Sequence, residues 1–266
     1  MAFRPCYGIE PKSDDGDPMK CAIPRTSSML LLAVCVLAST AAAFVLSADP
    51  QDLLTIGTGS VGATVLRGLS ARDLALHQFS SDRSGYPTRL DLGLLGSVPS
   101  RGVSLSVAAG AALAFKLRGE RRVAVAIDDA SAVQSGGWHE GLSIAAARRV
   151  PLVSILLHAQ DAGGARAGLR RAEAYGVHVE RVAADDADAL AARIHRVVES
   201  ARMSPAPWLL EVVNPDRDPI ARLETRVIVT ESEDPTSQPA RDRLARWAAE
   251  AETEARDAWQ GLEVAA

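Results

Sequence analysis

From residue 122 onward, short apolar runs alternate with longer amphipathic stretches, and this alternation restricts the fold more than any other feature of the chain. The runs are rich in Val, Leu and Ile, as buried strands are, and they occupy residues 122–127, 151–157, 178–183 and 207–213. The stretches between them have the length and spacing of helices, as at 138–149 and 185–201. Strands that alternate with such helices predict an α/β fold, with a parallel sheet and helices on both faces.

Two of the predicted helices have a clear apolar face. In the stretch 185–201, Leu190, Ile194, Val197 and Ala201 recur at helical spacing, and Asp185 or Asp186 can cap the start of the helix. The stretch 239–259 is also amphipathic and predicts a C-terminal helical tail.

The chain of 266 residues is long enough for one α/β domain with a full core. We expect residues 1–25, rich in Pro, Asp and Lys, to be a disordered tail, and residues 26–266 to form a single domain. The segment Thr26–Ala48 has no charged residue, which is typical either of a buried helix or of a membrane-spanning helix. The sequence alone leaves both interpretations open.

Composition and charge exclude several classes of protein. The chain is 47% hydrophobic and 23% charged, as in globular proteins, and its net charge of −4 argues against a nucleic-acid partner. The three cysteines, Cys6, Cys21 and Cys35, have the spacing neither of a zinc site nor of a disulfide framework. A reducing compartment follows, and we expect a cytoplasmic protein.

Polar residues follow two of the predicted strands. Asp128 and Asp129 come after the run 122–127, and His158 and Asp161 come after the run 151–157. Ligands of parallel sheets bind at the carboxyl ends of strands, so these residues mark a candidate site. The structural alternative is that Asp129 caps the following helix or turn and that His158 is a surface imidazole.

A glycine pattern near residue 57 suggests a second kind of site. Gly57, Gly59 and Gly62 match the dinucleotide-binding pattern G-x-G-x-x-G, and Asp82 lies where an acid could bind a ribose. The strand before this pattern has only about four residues, "LLTI", which is short for such a unit. An NAD-dependent oxidoreductase that uses Gly57–Gly62 is therefore an alternative function.

The middle of the chain resembles a known enzyme family. Residues 97–151 run from "SVPSRG" through a helix that ends in "KLRG" (116–119), a strand, Gly136 and "WHEGL" (138–142). This order resembles the α subunit of the thiamine-diphosphate-dependent, decarboxylating component of 2-oxo-acid dehydrogenases, the pyruvate, branched-chain and acetoin enzymes. The resemblance extends to "DPQDLL" (49–54), "RGLSARDLALHQF" (67–79) and "RDPIARLETRV" (217–227). It covers roughly residues 36–260.

The resemblance implies a fold, a cofactor and a partner. It implies the thiamine-diphosphate-binding fold, oxidative decarboxylation of a 2-oxo acid with acyl transfer to lipoamide, and a cofactor held with Mg²⁺ between α and β chains. It places residues 36–48 on a buried helix. By position it assigns cofactor contacts to Gly102, Asp129, Ser131 and Gly136.

This sequence departs from the family at the metal and phosphate ligands. The family's "G-D-G" aligns with Asp129, Ala130 and Ser131, and its second strand-end asparagine aligns with Ala159, so two metal ligands are alanines. Asp161 stands at a tyrosine position. The family's "R-G-H-G" loop reads "GSVG" from Gly59 to Gly62, and a histidine-bearing loop after the last strand is missing.

These losses leave three hypotheses about the chain. The first is a divergent α-type subunit whose metal and diphosphate ligands are largely lost, in which Asp129 and Asp161 hold a metal only if the site is rewired. The second is a non-catalytic pseudo-subunit that stabilises or regulates a complex, with a β-type subunit or a second copy as its partner. The third is the oxidoreductase described above.

Overall fold

The computed structural model describes residues 49–55, 57, 61–70, 73, 88–96, 100–159, 165–184, 187–214, 249, 253 and 257. The predictions for the tail 1–25, the segment 26–48 and the helix 239–259 lie outside these residues, except for three isolated positions in the last. Asp82, Asp161, Asp185 and Asp186 also lie outside them. No helix within the described ranges is long and apolar enough to cross a membrane.

Six parallel strands form one sheet in the order β2-β1-β3-β4-β6-β5. The strands are β1 (Leu53–Thr55), β2 (Leu94–Leu95), β3 (Ala124–Asp129), β4 (Leu152–Ala159), β5 (His178–Ala183) and β6 (Trp208–Asn214). The helices are α1 (Val61–Leu66), α2 (Val103–Arg118), α3 (Gly136–Arg148), α4 (Ala165–Ala174) and α5 (Ala187–Met203). Two short 3₁₀ turns span Leu90–Leu92 and Ala130–Gln134.

The sheet separates two apolar cores, one on each face. Helices α1 and α5 cover the first core, where Leu190, Ile194, Val197 and Ala201 are buried as their spacing predicts. Helices α2, α3 and α4 cover the second, which is centred on Leu105, Trp138 and Leu156. The predicted α/β class, with a parallel sheet and helices on both faces, is confirmed.

Strands β3 and β4 extend further at their carboxyl ends than the sequence predicts. We expected Asp128, Asp129 and His158 to follow their strands, but all three lie within them. The backbone pairing continues through Asp128↔Leu156 and Asp129↔Leu157, so the parallel ladder includes the polar residues. The ladder depends on the backbone alone, and polar side chains at its end do not interrupt it.

Helices α2 and α3 both end at a residue with a left-handed backbone conformation, but the residue type differs. Gly119 ends α2 with a φ of 69°, and its N–H donates to the carbonyl oxygens of Lys116 and Phe115. The helix therefore ends at the "KLRG" turn that the resemblance implies. Arg149 ends α3 with a φ of 47°, and its backbone N–H donates to the carbonyl oxygens of Ala145 and Ala146.

A buried ion pair joins the amino edge of the sheet to the end of α5. Asp52, immediately before β1, is fully buried and accepts from Arg202 Nη2 at 2.6 Å and Nη1 at 3.0 Å. The backbone N–H of Val123, immediately before β3, donates to the same carboxylate at 2.8 Å. Asp52 thus holds the starts of β1 and β3 and the last turn of α5 together.

Candidate functional site

The chain leaves β1 and β3 in opposite directions, and this divergence identifies the candidate site. Strand β1 is followed by β2 on one side, whereas β3 is followed by β4 on the other. The two strands are themselves paired, with Thr55 opposite Ala126. Between strands whose connections diverge, a parallel sheet has a crevice at its carboxyl edge, which is where ligands of such sheets bind.

Asp128 is buried near the carboxyl end of β3, beside this point of divergence. Its side chain is 1% exposed, and the hydroxyl of Ser104 lies 2.7 Å from Oδ1 and 2.6 Å from Oδ2. Ser104 is in the first turn of α2. Burial raises the pKa of Asp128 to about 6; the Ser104 hydrogen bond opposes that rise and the charge of Asp129 adds to it.

Gly57 packs directly on Asp128 from the loop after β1. A Cβ added to Gly57 would lie 2.5 Å from Asp128 Oδ1 and 2.8 Å from Ser104 Oγ. A glycine is therefore required here by close approach, in addition to any role in a dinucleotide pattern. Gly57, Ser104 and Asp128 are therefore in close contact near the carboxyl ends of β1 and β3.

Asp129 uses its carboxylate as a local cap. Its Oδ1 accepts from the Ser131 backbone N–H at 2.8 Å and from the Ser131 hydroxyl. Asp129 is the N-cap of the 3₁₀ turn Ala130–Gln134. The capping interpretation is thus confirmed, and two of the residues that the resemblance assigns to the cofactor, Asp129 and Ser131, bind each other.

The start of α3 is capped and packed against the start of α2. Ser135 Oγ accepts from the Trp138 N–H at 3.2 Å. Gly102, with a φ of 74°, lies so close that a Cβ there would be 2.1 Å from Ser135 Oγ and 2.9 Å from Trp138 N. Gly136 has open space where its Cβ would be. Gly102 therefore has a packing role, whereas nothing near Gly136 requires a glycine.

The described residues do not fit a magnesium–diphosphate group. Magnesium takes hard oxygen ligands, and Ala130 and Ala159 have no side-chain oxygen. Asp129 is engaged with Ser131, and Asp161, the other candidate, is outside the described residues. In the part of the chain that the structure describes, no three His, Cys, Asp or Glu side chains could hold a metal ion together.

His158 is buried, and the expectation of a surface imidazole is wrong. Its side chain is 3% exposed, because β4 is a central strand and His158 points into the face that α2, α3 and α4 cover. Neither of its ring nitrogens has a hydrogen-bond partner among the described residues. A second histidine, His139, lies in the first turn of α3, with Nδ1 3.1 Å from the Tyr175 hydroxyl.

Glu211 is a second buried polar group on the same face as His158. It lies on β6 opposite Leu156, one step diagonally from His158, which is opposite Val213. Glu211 is fully buried, and Arg181 Nε is 3.1 Å from its Oε2. Within the described ranges, neither carboxylate oxygen has a partner with hydrogen-bond geometry. The Arg181 contact is therefore a charge contact from the edge strand.

Sequence reasoning missed Ser104 and Glu211. Glu211 did leave a signal, since it is the one charge in the apolar run "PWLLEVV". Ser104 left none, because its partner Asp128 is 24 residues away and only the fold brings them together. Comparison with known proteins adds no assignment: no known family model matches the chain, and no curated protein matches it.

Proposed function

We propose that this chain is a divergent, non-catalytic relative of the α subunit of 2-oxo-acid dehydrogenases and acts as a scaffold subunit in a hetero-oligomer with a β-type partner. One observation carries the proposal. At the edge where that family holds its diphosphate and metal, the polar groups of this chain are already bound to each other, through Asp129 to Ser131 and through Ser135 to Trp138.

Internal capping opposes diphosphate binding. An anion at a helix start binds to free N–H groups and to the positive end of the helix dipole. Here the carboxylate of Asp129 takes the Ser131 N–H, and the Ser135 hydroxyl takes the Trp138 N–H. A diphosphate would have to displace both caps and would meet the negative charge of Asp129, with no Mg²⁺ ligand at Ala130 or Ala159 to neutralise it.

Close contacts near these caps favour a retained fold. Gly102 and Gly57 are held where a Cβ would not fit, and Ser106 Oγ donates to the Gly137 carbonyl at 2.6 Å. These contacts fix α2 and α3 against each other and against β3. A chain with such contacts but without metal ligands is suited to support a partner, while chemistry takes place elsewhere in the complex.

Restoring the lost ligands tests the proposed relationship. The Ala130→Asp, Ala159→Asn double variant should bind thiamine diphosphate in the presence of Mg²⁺, measured by isothermal titration calorimetry, whereas the natural chain should not. The single variants are the controls, since one ligand alone leaves the metal with too few protein oxygens. A folded double variant that shows no Mg²⁺-dependent binding contradicts the alignment on which the proposal depends.

The alternative, an NAD-dependent oxidoreductase, has one observation in its favour. Gly57 lies after β1 at the point where the connections diverge, which is where dinucleotides bind in such sheets. Against it, the buried carboxylate of Asp128 packs directly against Gly57, and the residues after β2, "GSVPSR", contain no acid for a ribose. Saturable NAD(H) binding that Gly59→Leu abolishes would favour the oxidoreductase.

A further inference from the structure

The ends of α2 and α3 form a basic surface at the amino edge of the sheet. We call it the basic ledge; it comprises Lys116, Arg118, Arg121, Arg148 and Arg149. All five residues are exposed. Lys116 Nζ donates to the carbonyl oxygens of Arg148 at 2.6 Å and Arg149 at 3.2 Å, so the two helix ends are in contact.

Little on the ledge neutralises this charge. Arg118 contacts Glu120 at 3.5 Å with two-thirds of its side chain exposed. Arg121, Arg148 and Arg149 form no ion pair with any described residue. The whole chain has a net charge of −4, so the ledge is a local exception to the charge of the protein.

Arg149 occupies a backbone conformation that favours glycine. It is the one non-glycine residue with a positive φ in the described ranges, at 47°. At the equivalent position of α2 the chain uses Gly119, with a φ of 69°. A left-handed conformation costs an L-residue about 1 kcal/mol, so an arginine here is retained against the local backbone preference. This favours a use for its side chain.

Two exposed apolar side chains accompany the ledge. Leu117, between Lys116 and Arg118, is 79% exposed, and Ile144, one turn before Arg148, is 50% exposed. Apolar anchors surrounded by charges are typical of protein interfaces, where the anchor supplies affinity and the charges supply orientation and association rate.

We propose that the basic ledge, with Leu117 and Ile144, is a docking surface for an acidic amphipathic segment of a partner protein. Because the ledge is positively charged, we expect the partner segment to be rich in Asp and Glu. Because Leu117 and Ile144 are exposed, we expect it to have leucine-like side chains between these acidic residues. The inference is independent of the relationship to 2-oxo-acid dehydrogenases, because it uses no residue of the candidate site.

Helix dipoles explain only part of the ledge. Cations in the last turn of a helix stabilise it, which accounts for Lys116, Arg118 and Arg148 without a partner. This explanation does not extend to Arg121, which lies beyond the helix, or to the arginine at the left-handed position 149. It also leaves the exposed Leu117 and Ile144 unexplained.

The experiment uses the full chain and a fluorescent synthetic peptide in which leucines one helical turn apart are flanked by glutamates. Binding is measured by fluorescence anisotropy at low and at physiological ionic strength. Arg149→Gly removes one positive charge and relieves the backbone, so this variant should melt no lower than the natural chain. It should nevertheless bind the peptide up to about fivefold more weakly at low ionic strength. Leu117→Ser should weaken binding by a similar factor.

Arg193→Ala is the matched control, because it removes one positive charge from α5 on the opposite face of the sheet. It should leave peptide binding unchanged. Failure of the natural chain to bind the peptide overturns the proposal, as does an equal loss in Arg193→Ala. Phosphatidylserine vesicles and duplex DNA are tested in parallel. If they bind as well as the peptide and Leu117→Ser has no effect, the ledge is a general anion surface and the proposal is wrong.

Discussion

Replacing Asp128 by asparagine should stabilise the protein relative to the natural chain, and this gain should be larger at alkaline pH than at acidic pH. Burial raises the pKa of Asp128 from 3.8 to about 6, so the folded state holds this proton more strongly than the unfolded state. Below pH 3.8 both states are protonated and the group imposes no ionisation cost; above pH 6 the full cost is present. The shift of about two pH units corresponds to about 3 kcal/mol.

The informative quantity is the difference in the free energy of unfolding between Asp128→Asn and the natural chain, measured by urea denaturation from pH 4 to pH 8. This difference should move by about 2.5 kcal/mol in favour of the variant between pH 4 and pH 8, because unfolded Asp128 is already partly ionised at pH 4. Any constant effect of burying an amide cancels in this comparison. A difference that stays constant with pH refutes the reasoning.

Ser104→Ala provides a second test, in which the stability difference from the natural chain should change with pH in the opposite direction. The Ser104 hydroxyl donates to the carboxylate and stabilises its charged form. Its removal should therefore cost more stability at pH 8 than at pH 4. An equal loss of stability at pH 4 and pH 8 would mean that Asp128 is neutral throughout this range.

Three further predictions concern stability, measured by chemical denaturation near neutral pH. Gly102→Ala should cost about 3 kcal/mol, because the backbone there is left-handed and the added Cβ would overlap the start of α3. Gly119→Ala should cost only about 1 kcal/mol, because Gly119 has a similar φ but open space for a Cβ. Arg202→Met should cost about 3 kcal/mol because it leaves Asp52 buried without its cation, and adding Asp52→Asn should recover part of the loss. Ser154→Ala should stabilise the protein by about 1 kcal/mol, because the Ser154 hydroxyl is buried and has no partner among the residues that the structure describes; a loss of that size contradicts the prediction.

The sequence predicts the layers of the fold because local periodicity carries that information. Helix α5 shows its buried face in the spacing of Leu190, Ile194 and Val197, and the central strands show themselves as apolar runs. Strand ends were less predictable, since the backbone ladder of β3 and β4 continues through Asp128 and His158. A polar side chain at the end of a run does not reveal whether the ladder has ended.

Long-range partners were beyond sequence reasoning. Asp52 and Arg202 are 150 residues apart, and neither position has a local pattern that points to the other. The buried state of His158 likewise depends on β4 being central and on the helices that cover it. By contrast, the capping role of Asp129 is local, and the sequence already contained it as an alternative.

The chain has an α/β fold, and we propose that it does not bind thiamine diphosphate. The most direct test is the native mass of the tagged chain, purified from its own host with thiamine diphosphate and Mg²⁺ in all buffers. We expect a complex with a second type of subunit and no mass corresponding to thiamine diphosphate. A complex that carries the cofactor in stoichiometric amount would contradict it, and Asp129 would then be the first residue to replace.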